Sequence, residues 1–276
     1  MPTTSLLLPS LRENHQIIVA MLDDPEIEGF LELDHAIVAY VPEEASSRVR
    51  AVIELELRSL LTGPIDESVI EARNWIEEWE KTITPIRVGV FRIRPSWSQV
   101  AELDGVIDVI IDPKMSFGTG YHESTRLMLR YLDELIQEGD RVLDAGTGTG
   151  VLSFAALKAG ASVAEAFDTD PICYDNATEN ALVNGLQDRF RVWVGDETSV
   201  QTEEYDLIFA NINREALRAM LPALASKLAL GGRLGLAGLL LADREMMLAQ
   251  INALGLTVRR EGSEGEWWSV WVEANE

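Results

Sequence analysis

The feature that most constrains the fold is a short strand that leads directly into a glycine-rich loop and then into a helix. The strand is Arg141–Asp144, the loop is Gly146-Thr147-Gly148-Thr149-Gly150, and the helix is expected at Val151–Ala159. Glycines let a backbone turn sharply and approach a ligand closely, and the start of the following helix favours negative charge. We therefore expect a ligand site at this loop.

Segments typical of strands alternate with segments typical of helices throughout the second half of the chain. This alternation predicts a mainly parallel sheet covered by helices on both faces, and ligands bind such sheets at the carboxyl ends of the strands. The predicted strands are 141–144, 162–167, 191–194, 206–210, 233–237, 256–260 and 267–272, and the predicted helices are 151–159, 171–184, 215–229 and 243–254.

The first part of the chain predicts a small α+β domain with no cofactor motif. Two strands are expected within Glu28–Val41, broken near Asp34-His35, and apolar spacing predicts a helix over Ser46–Leu61. A second helix is expected from Asp66 to about Lys81, with Trp75 and Trp79 on one face, packed onto a neighbouring domain. Further strands are expected at 88–93 and 106–111. We divide the chain into an N-terminal domain (1–84), a linker (85–115) and a cofactor domain (116–276).

The spacing of the glycines distinguishes between nucleotide cofactors. A dinucleotide site needs G-x-G-x-x-G or -A, but the third position falls on Val151 when counted from Gly146 and on Ser153 when counted from Gly148. The Gly-Lys-Ser/Thr of a phosphate-binding Walker loop is absent. An aspartate that closes the strand, here Asp144, followed by G-x-G-x-G, is typical of S-adenosylmethionine sites. We therefore expect Asp144, Gly146, Gly148 and Gly150 to form the cofactor loop.

Polar residues follow the next strands at the positions where cofactor contacts are expected. Asp168 closes the second strand and could accept hydrogen bonds from both ribose hydroxyls, while Asp170, before Pro171, suits a helix cap. Asp196 follows the third strand, where an adenine contact or a plain turn would fit equally well. Asn211 follows the fourth strand, where a polar side chain would face the transferred methyl group; the alternative is an ordinary loop asparagine.

Composition limits the classes of partner and environment. The net charge is −23, which disfavours nucleic acid and anionic lipid and favours basic partners, although adaptation to a salty cytoplasm explains it equally well. One cysteine, Cys173, excludes an internal disulfide. The sequence shows no apolar run long enough for a membrane helix and no secretory leader, so we expect a cytoplasmic protein without a membrane partner. We expect no metal in the site.

Two further segments resemble a known family. They are Asp112-Pro113-Lys114-Met115-Ser116-Phe117-Gly118-Thr119-Gly120-Tyr121-His122-Glu123-Ser124-Thr125 and Asn211-Ile212-Asn213. Together with Trp75-Ile76-Glu77-Glu78-Trp79 and Arg94-Pro95-Ser96-Trp97, they resemble the ribosomal protein L11 methyltransferases, from about residue 75 to the C-terminus.

The resemblance implies a fold, a reaction and a set of site residues. The expected fold is α/β: a Rossmann-like class I methyltransferase domain with a mostly parallel seven-stranded sheet, preceded by a small substrate-recognition domain. The expected reaction moves methyl groups from S-adenosylmethionine to lysine or N-terminal amines of a basic protein, ribosomal protein L11. The implied cofactor contacts are Thr125, Gly146, Asp168 and Asn211, with His122 and Phe117 lining the reaction end.

The sequence departs from the family pattern at two places. Ser124 precedes Thr125 where the family has two threonines, and Asn213 replaces a leucine, which puts a polar side chain near the site. A different protein lysine or a small molecule therefore remains an alternative substrate. A nucleic-acid aminomethylase would carry Asn/Asp-Pro-Pro-Tyr/Phe, which Asn211-Ile212-Asn213-Arg214 lacks. The remaining alternative is a cofactor-binding module without catalysis.

Overall fold

A computed structural model describes residues 3–22, 24–70, 83–114, 116–201 and 204–274 of the chain. The chain separates into two compact units, Met1–Trp79 and Glu80–Glu276. The second unit includes residues 85–115, which the sequence analysis treats as a linker.

Within its described residues, the first unit contains an antiparallel sheet and two α-helices. Alternate residues of its first strand are buried, and Leu6 and Leu8 pack with Ile37, Val49 and Ile53 in one apolar core. The sheet order is β2-β3-β1-β4. Its elements are β1 (Thr3–Pro9), α1 (His15–Met21), β2 (Gly29–Leu33), β3 (Ala36–Pro42), α2 (Glu43–Glu56) and β4 (Asp66–Ile70).

The predictions for this unit have mixed outcomes. The strand pair broken at Asp34-His35 is confirmed, and the helix predicted at Ser46–Leu61 is present with shifted ends, as α2. The helix predicted from Asp66 is wrong over its first five residues, because these pair with β1 as strand β4 and tertiary pairing overrides their local pattern. Trp75, Trp79 and the rest of that predicted helix lie outside the described residues. Strand β1 and helix α1 were not predicted from the sequence.

The second unit is built on a seven-stranded sheet of order β10-β9-β8-β11-β12-β14-β13. Its first five strands are parallel, and β14 and β13 continue it in antiparallel pairing. The α/β prediction with a mostly parallel seven-stranded sheet is thereby confirmed. The strands are β8 (Arg141–Ala145), β9 (Val163–Asp168), β10 (Phe190–Val194), β11 (Tyr205–Asn211), β12 (Leu228–Leu240), β13 (Leu256–Glu264) and β14 (Trp267–Ala274).

Among the described residues, five α-helices accompany this sheet, and their apolar side chains join those of the strands in two core clusters. The bounds of α4 and α5 agree with the prediction, whereas α3 was not predicted. Helix α3 approaches β12 closely: a Cβ on Gly235 would lie 2.7 Å from Cε of Met128. The helices are α3 (Glu123–Leu135), α4 (Val151–Ala159), α5 (Pro171–Asn184), α6 (Arg214–Ser226) and α7 (Arg244–Ala253).

A separate three-stranded sheet precedes α3. It consists of β5 (Ile86–Val88), β6 (Phe91–Arg94) and β7 (Ile107–Ile110), so the single strand predicted at 88–93 is wrong. The chain turns at Gly89, whose φ of 58° suits glycine, and the turn makes a hairpin of β5 and β6. The strand predicted at 106–111 is confirmed as β7.

Asparagines spaced four residues apart on α5 fasten this region to the main sheet domain. Asn184 both accepts from the N–H of Ile110 (2.9 Å) and donates to its carbonyl (2.6 Å). Asn180 accepts from the N–H of Asp112 (2.9 Å) and donates to the carbonyl of Thr149 in the glycine loop (3.1 Å). Asn176 donates to the carbonyl of Asp112 (3.0 Å). The segment after β7 is therefore tied to the glycine loop.

Candidate functional site

A cleft of about 560 Å³ lies at the carboxyl ends of β8, β9 and β11, where the sequence analysis places a ligand. It brings together Gly146, Gly148, Asp168, Asn211 and the reaction-end residues Phe117 and His122. Its remaining lining residues are Ser124, Phe167, Thr169, Asp170, Cys173, Ile212, Asn213, Ala216, Met220, Gly238 and Trp267.

The glycine loop is packed tightly against two other segments. Gly146 and Gly148 have φ values of 76° and 55°. A Cβ on Gly146 would lie 2.2 Å from Cγ2 of Ile212, and a Cβ on Gly148 would lie 2.2 Å from the carbonyl oxygen of Phe117. Gly150 (φ 86°) caps α4 and does not line the cleft. The glycines are thus needed for close approach of protein segments as well as for the turn.

Asp144 lies beneath the loop and does not line the cleft. Its carboxylate Oδ2 accepts hydrogen bonds from the hydroxyls of Thr147 (2.9 Å) and Ser153 (2.7 Å), and the residue is 1% exposed. Burial raises the pKa of this carboxyl from 3.8 to about 6, against the lowering effect of the two hydroxyls. The structure places Asp144 as a support of the loop.

The raised pKa of Asp144 predicts that the stability of the protein depends on pH. Because the folded state holds the proton more tightly than the unfolded state, protonated Asp144 stabilises the fold fully below pH 3.8, and this stabilisation is lost as the pH rises through about 6. Asp144→Asn has no such titration. Because one pKa unit equals about 1.4 kcal/mol, its unfolding free energy relative to wild type should rise by up to about 3 kcal/mol between pH 4 and pH 7.5 in urea denaturation. A difference that stays flat with pH would contradict this.

Asp168 lines the cleft at the end of β9. One carboxylate oxygen accepts from the N–H of Gly148 and the other from the N–H of Asp170, both at 3.0 Å. A carboxylate oxygen can accept more than one hydrogen bond, so each keeps a lone pair for a hydroxyl of a bound ribose. Asp170 caps α5 by accepting from the N–H of Ile172, as expected.

Asn211 ends strand β11 and lines the cleft. Its Nδ2 donates to Oγ1 of Thr125 at 3.3 Å. Its Oδ1 is buried and has no hydrogen-bond partner within the part of the chain that the structure describes. Because buried acceptors are rarely left unpaired, this oxygen indicates a site for a hydrogen-bond donor from a ligand. Asn213 caps α6 through its side chain, which explains the polar residue at this position.

His122 caps helix α3 at the mouth of the cleft. Its Nδ1 accepts from the N–H of Ser124 at 3.2 Å. The same nitrogen lies 2.8 Å from the hydroxyl of Ser124, so two contacts hold the ring at the start of α3. A role as general base would require breaking this cap, so the arrangement favours the capping role over proton abstraction.

Aromatic rings surround His122. Its ring centroid lies 5.0 Å from that of Phe117 and 4.4 Å from that of Trp267, both edge-to-face. Phe117 is 52% exposed, although it lines the cleft. Sequence reasoning missed Trp267, because nothing in the spacing of β14 distinguishes a cleft residue from a core residue.

Two other residues of the cleft region carry different roles. Asp196, a predicted adenine contact, does not line the cleft; its carboxylate accepts from the N–H of Thr198 at 3.0 Å and holds a turn. Cys173 does line the cleft, and burial raises the pKa of its thiol to about 11. The thiol is therefore neutral near pH 7 and is no nucleophile there.

The described residues meet neither the requirements of a metal site nor those of a membrane-spanning helix. Among the described residues, no group of three or more His, Cys, Asp or Glu is arranged to hold a metal ion. No helix in the described part of the chain has the length and apolarity that crossing a membrane requires.

Comparisons with known proteins agree with the fold and identify the family. Residues 10–275 match the family described as ribosomal protein L11 methyltransferase (PrmA). The chain is similar to the ribosomal protein L11 methyltransferases of Chlorobaculum tepidum (36% identity over 268 residues, 94% of this chain and 92% of the relative) and Symbiobacterium thermophilum (40% over 220 residues, 78% and 71%). The solved structure of a ribosomal protein L11 methylase from Lactobacillus delbrueckii subsp. bulgaricus has the same fold, with a TM-score of 0.66, 24% identity, and coverage of 70% of this chain and 100% of that chain.

Proposed function

This chain belongs to the ribosomal protein L11 methyltransferase family, and from that premise we propose that it transfers methyl groups from S-adenosylmethionine to amino groups of ribosomal protein L11. The family makes it a methyltransferase enzyme. The identity of the cofactor, the amine as acceptor and L11 as substrate are the parts that we propose.

The observation that carries the proposal is the unpaired oxygen of Asn211. It lies in the same cleft as Asp168, whose carboxylate has lone pairs free for ribose hydroxyls. A neutral amine that donates an N–H to Asn211 Oδ1 turns its lone pair away from that oxygen. The cleft therefore provides an acceptor for the amine and an acceptor for the cofactor's ribose, which is what methyl transfer between them requires.

The reaction depends mainly on positioning. Bound S-adenosylmethionine supplies an electrophilic methyl group on a positively charged sulfur. A lysine ammonium, with a pKa of about 10.4, must lose its proton before it can attack, and burial in the cleft beside positive charge lowers that pKa. Asn211 then holds the amine, and Phe117 and Trp267 contact its carbon chain and exclude water. A well-aligned attack needs no dedicated base, in line with the capping role of His122.

The same region of the chain distinguishes between the alternative methyl acceptors. A nucleobase acceptor would require Asn/Asp-Pro-Pro-Tyr/Phe, which puts an aromatic residue three positions after Asn211, where Arg214 stands, and the net charge of −23 repels nucleic acid. A small amine is a second class of acceptor, because the half-exposed side chain of Phe117 leaves the cleft accessible to small molecules. Both alternatives predict methyl transfer without protein labelling.

Labelled methyl transfer tests the function. We expect the purified enzyme and labelled S-adenosylmethionine to label ribosomal protein L11, with mass spectrometry placing the label on amines. Asp168→Ala is the control: lost charge-assisted hydrogen bonds to the ribose and to Gly148 should weaken cofactor binding by roughly 1–3 kcal/mol in calorimetric titration. Label that enters only small molecules or nucleic acid, or equal cofactor affinity in the variant, would contradict the assignment.

A further inference from the structure

The carboxylate of Glu264 joins helix α3 to the end of the β13–β14 hairpin. Its Oε1 accepts hydrogen bonds from Nε and Nη2 of Arg126, at 2.8 and 2.6 Å, and its Oε2 accepts one from Nη2 of Arg130 at 2.8 Å. Glu264 is the last residue of β13, and both arginines lie on α3. The hydrogen bonds from Arg126 hold the pKa of the Glu264 carboxyl below its usual range, so the group is charged near pH 7. One carboxylate therefore receives three charge-assisted hydrogen bonds from a single helix.

These bonds act at the free end of the hairpin. Strand β13 lies at the edge of the seven-stranded sheet, so it has a strand neighbour, β14, on one side only. Glu264 pairs with Trp267 across the turn, in which Gly265 has a φ of 59°. Farther along the helix, α3 packs so closely on the same strand that a Cβ on Gly262 would lie 2.4 Å from Oη of Tyr131. Packing therefore fixes the later turns of α3 on the hairpin, and the Glu264 carboxylate acts nearer its start.

The same two elements meet on the side of the cleft through two rings. His122 caps α3, Trp267 begins β14, and their ring centroids are 4.4 Å apart. Arg126 is bonded on both sides of this contact: it donates to Glu264, the strand partner of Trp267, and its Nη1 donates to the carbonyl of Tyr121, the residue before His122. The distance between the two rings therefore depends on the bonds of this arginine.

We propose, on the basis of the proposed function, that Glu264 is a positioning residue: through Arg126 and Arg130 it holds the start of α3 against the β13–β14 hairpin and thereby keeps the rings of His122 and Trp267 together as the wall that the substrate amine contacts. None of the three charged residues lines the cleft, so they act through the two rings. Glutamine at position 264 has nearly the same shape but lacks the charge, and it would weaken all three hydrogen bonds.

The first experiment observes the wall without any reaction. In cofactor-free protein that contains 5-fluorotryptophan, the ¹⁹F signal of Trp267 is identified by its loss in Trp267→Phe. Glu264→Gln should shift and broaden this signal, while the other tryptophan signals stay in place and show that the variant is folded. Glu273→Gln is the matched control, because it removes the pair with Arg259 (2.6 Å) at the opposite end of the same hairpin; it should leave the Trp267 signal unchanged. An unchanged Trp267 signal in Glu264→Gln would overturn the proposal.

The second experiment separates positioning from the effect of charge. Glu264→Gln should lower kcat for L11 about fivefold while the Kd of S-adenosylmethionine changes less than about twofold. Glu266→Gln makes the same change of charge in the same turn, but the Glu266 side chain is exposed and has no ion pair within the described residues, so kcat should stay near its wild-type value.

The outcomes of this experiment are distinct. An unchanged kcat in Glu264→Gln, or equal losses of kcat in the Glu264 and Glu266 variants, would overturn the proposal. Wild-type enzyme that labels no L11 would instead contradict the proposed function, and the ¹⁹F signal would still decide whether Glu264 positions Trp267.

Discussion

Replacing Asn211 with alanine is expected to lower the rate of methyl transfer to protein about 100-fold, the order of loss caused by a misplaced nucleophile. The substitution removes the unpaired buried oxygen that we assign to the amine but leaves the glycine loop and Asp168 in place. The Kd of S-adenosylmethionine should therefore change much less than the single-turnover rate, and measuring both in the same preparation checks this.

Asn252→Ala is the matched control for this variant, since the same substitution is made at an exposed asparagine of α7 that does not line the cleft. It should leave the single-turnover rate and the Kd of S-adenosylmethionine near their wild-type values. Normal turnover in Asn211→Ala would move the orienting role elsewhere, and His122, in the same cleft, would be the next candidate.

The second large effect is expected from removing the N-terminal domain. A chain that begins at Thr84 should bind S-adenosylmethionine with unchanged affinity, because all the proposed cofactor residues follow Thr84. It should methylate L11 at least about 100-fold more slowly, because it lacks the domain that we propose positions the substrate. Thr84 is a suitable start, since its backbone N–H donates to the hydroxyl of Tyr121 at 2.6 Å. Calorimetry measures the cofactor affinity, and labelled methyl transfer measures the activity on protein.

The dependence of L11 methylation on salt provides a second test of substrate recognition. The net charge of −23 should speed encounter with a basic substrate, and attraction between exposed charges is screened beyond about 8 Å at physiological ionic strength. The full-length enzyme should therefore methylate L11 more slowly as salt rises. Equal methylation by the shortened and full-length chains would show that the first 83 residues serve stability alone.

The repeating part of the fold was predictable from sequence, because each of its elements carries its own local signal. Helix α4 follows a glycine loop, and α5 begins at Pro171 directly after an aspartate cap, so the bounds of both helices agree with the prediction. Strand β4 depends instead on its partner: Asp66–Ile70 carries an acidic start that favours a helix, and only pairing with β1 makes it a strand. Long-range pairing of this kind leaves no trace in the local pattern.

The candidate site divides in the same way. Gly146, Asp168 and Asn211 were predictable because each lies at or directly after the carboxyl end of a strand, and parallel strands end at one edge of the sheet. Trp267 lies on an antiparallel strand far along the chain and enters the cleft only through the turn before β14. Asp144 matched a motif, but its burial beneath the loop depends on the hydroxyls of Thr147 and Ser153, which the motif does not specify.

The asparagines of α5 also determine how the cleft opens. Asn180 joins Asp112 to Thr149, and Thr149 in turn donates its N–H to the carbonyl of Phe117 and its hydroxyl to that of Gly118. A local fluctuation that frees Phe117 must therefore also break contacts of the glycine loop, so the two segments should open as one cooperative unit in hydrogen exchange. A ligand that binds at the glycine loop restricts this motion and lowers the entropic cost of ordering the segment that contains Phe117. The first ligand should therefore order a part of the cleft that the second ligand contacts.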